Sequence, residues 1–144
     1  MLSNTTAKRT YWLVFRKGDH WYSRLLKRGY GHVYVITNNG KQWMQLDPVS
    51  TNLSPYIYDI PVDSNLPKYL ANRGFKVIKV VLNELDSKRS ILRPFLLLTC
   101  VEVVKYIIGL RAWCWTPYGL YKKLTKFIKK PYKGYGIDSV SIVY

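Results

Sequence analysis

The chain has 144 residues, long enough for one domain with a real core. It carries 23 Lys and Arg against 8 Asp and Glu, a formal charge of +15, and 48% of its residues are apolar. That apolar share excludes a disordered chain. Two cysteines exclude a disulfide framework. Residues 1–10 are polar and lack the apolar stretch of a signal peptide, so synthesis and residence in a cytoplasm are expected.

Residues 11–15 read as a first strand, followed by a turn at Lys17-Gly18-Asp19 and a short helical or irregular piece over 21–27. Gly31-His32-Val33-Tyr34-Val35-Ile36 is a β-branched and aromatic run, hence a strand. The turn signal Asn38-Asn39-Gly40 follows, then a strand over 42–47 ended by Pro48. With Asn39-Gly40 as a two-residue loop, Asn38 faces Lys41, Ile36 faces Trp43, Tyr34 faces Gln45 and His32 faces Asp47. Opposed residues share a sheet face, so an imidazole and a carboxylate meet there. Asp47 has a second reading, as the start of a turn at Asp47-Pro48.

A fourth strand is expected over 56–60, and a short helix over Leu66–Asn72, capped by Asp63 or Ser64 and stopped by Gly74. Residues 75–82 alternate as a strand. Residues 95–110 are nearly all apolar but too short to span a bilayer, and Glu102 and Lys105 lie inside them. They read as an extended entry over 95–98 and a buried helix over 100–108 ended by Gly109.

Thr99-Cys100-Val101-Glu102 opens that helix as a capping box, with Thr99 as N-cap and Glu102 three residues on. Cys100 then occupies the first helical position, where backbone N–H groups and the helix dipole favour a thiolate. A nucleophile would be built at such a place. The competing reading is a small buried core residue. Of the two histidines, His20 sits in a polar turn and is the rival base; His32 is the better candidate.

Thr116-Pro117 reads as an N-cap and first helical residue. Beyond it Leu120, Tyr121, Leu124, Phe127 and Ile128 share one face, and Lys122, Lys123, Lys126, Lys129 and Lys130 hold the other. Pro131 ends the helix, residues 132–136 form a linker, and 137–144 form an extra strand. Residues 105–133 contain eight basic residues and no acid. These lysines fit an anionic partner, whether nucleic acid, an acidic protein or an anionic membrane; the alternative is a core-packing helix with a solvated lysine face. No zinc-ligand spacing, phosphate loop or dinucleotide fingerprint occurs, so neither metal nor cofactor is implied.

The pattern is α+β: a mostly antiparallel sheet followed by helices, packed on a central helix. A histidine strand, an acidic residue on the next strand and a late cysteine opening an apolar helix together resemble a circularly permuted papain-like cysteine hydrolase, near the NlpC-type cell-wall peptidases. The matching residues are His32 in Gly31-His32-Val33, Asp47 in Leu46-Asp47-Pro48, and Cys100 in Thr99-Cys100-Val101-Glu102. The likeness covers about residues 10–115 of a single domain, with the basic helix and tail at 116–144, and extends to small bacteriophage proteins.

The resemblance implies Cys100 as nucleophile, His32 as general acid/base, Asp47 orienting the ring, and the Cys100 N–H in an oxyanion hole. The substrate would be an amide or peptide, peptidoglycan among the candidates. Two other functions stay open: a catalytically weak or silent virion or tail-associated component, and a basic nucleic-acid-binding protein.

Overall fold

The structure, a computed structural model, describes residues 8–19, 21–49, 52–83, 99–130 and 136–144. The extended entry over 95–98, Pro131, residues 132–135 of the linker and His20 lie outside the described residues. Six strands form one antiparallel sheet: β1 (Lys8–Arg16), β2 (His32–Asn38), β3 (Trp43–Val49), β4 (Asn52–Tyr58), β5 (Lys76–Asn83) and β6 (Ile137–Val143), in spatial order β4-β3-β2-β1-β5-β6. Three α-helices accompany it: α1 (Leu66–Asn72), α2 (Cys100–Ile107) and α3 (Pro117–Lys129), with a short 3₁₀ helix at Trp21–Leu25.

Both faces of the sheet are covered. On one, Leu13, Phe15, Val33, Val35, Ile78 and Val80 pack with Val101, Val104 and Ile108 of the α2 segment and with Leu120, Leu124 and Phe127 of α3. On the other, Val14, Tyr34, Ile36, Trp43 and Val77 pack with Leu66 and Leu70 of α1. Two covered faces explain why Val33-Tyr34-Val35-Ile36 is buried without interruption. The α3 side chains belong to the same cluster as β1 and α2, so the core continues past residue 115.

Four local expectations are corrected. The β2–β3 turn is not a two-residue loop: Asn38 pairs with Trp43, Ile36 with Gln45 and Val35 with Leu46. The Asn39 side chain accepts from the Lys41 and Gln42 backbone N–H groups, both at 2.9 Å, and wraps a four-residue loop with Gly40 at φ 82°. Pro48 does not end β3. The β2–β3 ladder stops at Val35–Leu46 while the β3–β4 ladder runs on to Val49–Asn52, so no β2 carbonyl calls for the missing N–H. Likewise β4 starts earlier than expected, because an edge strand tolerates Pro55. The α1 cap is Asn65, whose side chain accepts from Lys68 N–H at 3.1 Å, rather than Asp63 or Ser64.

Candidate active site

Two local structures bring the site together. The first is the β2–β3 hairpin. Its register is displaced by two residues from the expected one, and a displacement of two preserves the face of every side chain. His32 and Asp47 therefore become diagonal rather than direct neighbours, still within side-chain reach. The His32 Nε2–H donates to Asp47 Oδ1 at 2.6 Å, with both side chains mostly buried at 16% and 13% exposure.

The second is the start of α2. Thr99 is in the extended region at φ −74°, ψ 154°, and its hydroxyl accepts from Glu102 N–H at 3.3 Å. This is the forward half of the capping box. The Glu102 carboxylate is engaged by Lys105 Nζ at 2.5 Å. Lys105 is buried, 5% exposed, and also donates to the Cys114 carbonyl at 3.4 Å. Packing of Val101, Val104 and Ile108 fixes a helix too short to persist alone. Cys100 is the first residue of α2 and partly exposed, whereas Cys114 is buried; both are free thiols.

β2 begins at His32, so the imidazole stands at the end of the sheet, where Cys100 is near enough to influence its ionisation. Burial lowers the pKa of His32. The hydrogen bond to Asp47 raises it, as does the nearby Cys100, and the balance lifts it from 6.5 to about 9. The ring is thus an imidazolium at neutral pH. Asp47 holds Nε2, leaving Nδ1 as the nitrogen available to the thiol. An imidazolium beside a cysteine at a helix N-terminus can stabilise a thiolate and later return a proton.

Further residues support the pair. Gln45 Nε2 donates to the second Asp47 oxygen at 3.2 Å, and the Tyr58 hydroxyl donates to Gln45 Oε1. Tyr34 stacks on the His32 ring at 6.5 Å between centroids. Burial first, then Tyr56 and Asp47, pushes the Tyr58 hydroxyl up, so it stays a neutral donor. The i, i+2 spacing of Gln45 and Asp47 on one strand was an available signal. Tyr58 was not, because its place depends on the β3–β4 register.

The lysine group lies along α3. Leu120, Leu124 and Phe127 are buried, Lys123 is partly exposed, and Lys122, Lys126, Lys129 and Lys130 are exposed. Ile128, expected on the apolar face, is 41% exposed. Among the described residues no helix is long and apolar enough to cross a membrane. No family model, curated protein or solved structure matches this chain.

Proposed function

We propose that the protein is a cysteine-dependent hydrolase of amides or related acyl compounds, built on a permuted papain-like arrangement. The observation that carries this reading is the His32 ring, held by Asp47 at 2.6 Å and near enough to Cys100 for the thiol to raise its pKa. The Cys100 sulfur attacks the substrate carbonyl carbon, and the carbonyl oxygen takes up the negative charge. The Cys100 N–H, one of the helix donors without an intrahelical acceptor, faces that oxyanion. His32 protonates the departing amine as the C–N bond breaks, leaving a thioester. Water, deprotonated by the now neutral ring, then attacks the thioester, releases the acid and returns the proton to the site. Asp47 keeps the ring oriented throughout, and Gln45 with Tyr58 keeps Asp47 in place. A peptide or amide, including the cross-links of peptidoglycan, fits this chemistry.

The test uses a p-nitrophenyl ester. A burst of one p-nitrophenol per chain, with an acyl adduct on Cys100 in the intact-mass and peptide spectra, is expected. The Cys100→Ser variant should lose the thioester adduct, and His32→Ala should slow both its formation and its breakdown. Absence of any adduct at Cys100 under all conditions would refute the reading.

A further inference from the structure

The segment between α2 and α3 places large apolar side chains in water without being loose. Residues 111–115 alternate: Arg111, Trp113 and Trp115 point outward, Ala112 is partly covered and Cys114 is buried. The inward side is pinned, since Cys114 sits in the core cluster and its carbonyl accepts from the buried Lys105. The Thr116 hydroxyl then caps α3 by accepting from Gly119 N–H at 3.0 Å. Trp113 is nevertheless 88% exposed and Trp115 55%, and their rings meet edge to face at 5.8 Å. An apolar patch held rigidly in solvent marks a docking surface.

The charge around it is cationic. Tyr118, three residues beyond Trp115, has Lys122 Nζ at 5.0 Å and Lys27 Nζ at 5.5 Å from its ring centre. Helical periodicity places Tyr118, Lys122, Lys126 and Lys129 on one stripe, within about 80° of one another at 100° per residue. Leu25, two residues before Lys27, is 83% exposed.

We propose that the Trp113–Trp115 segment and the Lys122, Lys126 and Lys129 stripe form a docking surface for an anionic phospholipid bilayer. Indoles favour the headgroup level, where an apolar ring and a polar N–H are both accommodated. Lysines add attraction to anionic headgroups while their stems lie along the apolar boundary. Nucleic acid would use the charge, but an exposed leucine and an edge-to-face indole pair offer it no parallel stacking platform. The surface lies beyond the C-terminal end of α2, and Cys100 opens its N-terminal end, so the inference stands independently of the hydrolase reading.

The experiment is co-sedimentation of the full chain with phosphatidylcholine vesicles, with and without phosphatidylglycerol, together with quenching of tryptophan emission by brominated lipid. Binding is expected only with phosphatidylglycerol, and quenching should accompany it. Trp113→Ala with Trp115→Ala should remove most of that quenching. Changing Lys122, Lys126 and Lys129 to Gln should weaken binding by about a hundredfold, from roughly fivefold per lysine near an anionic surface. Thermal melts matching the wild type establish that these surface variants are folded. Failure to bind phosphatidylglycerol vesicles, or binding and quenching unchanged by both sets of substitutions, would overturn the proposal. So would DNA binding lost in the same variants when the wild type ignores vesicles.

Discussion

Asp47→Asn removes the largest influence raising the pKa of His32 while leaving its volume and the burial that lowers it. In the wild type the pKa rises from 6.5 to about 9, a difference of 2.5, which at 1.36 kcal/mol per unit corresponds to about 3 kcal/mol. The sign follows from the direction. A raised folded-state pKa contributes stability that is complete below pH 6.5 and is lost as pH rises through 9. Asp47→Asn should therefore destabilise the protein by up to about 3 kcal/mol at pH 6, and the part of the loss due to His32 ionisation should vanish near pH 10. Urea unfolding at pH 6, 8 and 10 measures the difference. Imidazole carbon–proton NMR follows the titration directly, because the chain has only two histidines and His32→Gln assigns the signals. His32 should titrate near 9 in the wild type and clearly lower in the variant, with Cys100→Ser giving a smaller decrease. A wild-type His32 titrating near 6.5, or one unmoved by Asp47→Asn, would refute the coupling.

Thr99→Ala should cost about 1 kcal/mol by removing the α2 cap, and should slow alkylation of Cys100 more than that of Cys114 in a competitive labelling assay. Lys105→Met leaves the largely buried Glu102 carboxylate without its partner and should cost roughly 3–5 kcal/mol in urea unfolding, with much of it recovered by adding Glu102→Gln. Leu124→Ala should cost about 2–5 kcal/mol because the side chain is fully buried. Lys126→Gln, on the outer face of the same helix, should stay within about 0.5 kcal/mol.

Those contrasts also separate what the sequence made legible from what it hid. The caps Thr99 and Thr116, the apolar run of β1, the alternation of β5 and the apolar stripe of α3 are local signals, and the helices and strands form where those signals lie. The errors arise where tertiary pairing decides. Asn39 could close either a two- or a four-residue loop, and its side-chain hydrogen bonds select the longer one. Pro48 reads as a strand end until the ladders show that β2 pairing has already stopped at Leu46. The proximity of His32 and Asp47 survives the register error because face parity depends only on whether the shift is even. The approach of Cys100 to His32 joins residues 68 apart in sequence, through packing of α2 on β2 and β3. No local pattern encodes that distance.

The most direct test of the account is the rate of iodoacetamide alkylation of Cys100 near pH 6, read by peptide mass spectrometry with Cys114 in the same chain as the internal reference. Burial pushes the Cys114 thiol up and keeps it slow. Cys100 should be labelled well ahead of Cys114, His32→Ala should largely remove this lead, and Asp47→Asn should reduce it. Equal labelling of the two thiols, or a Cys100 rate indifferent to His32, would contradict the assignment of a nucleophile at the start of α2.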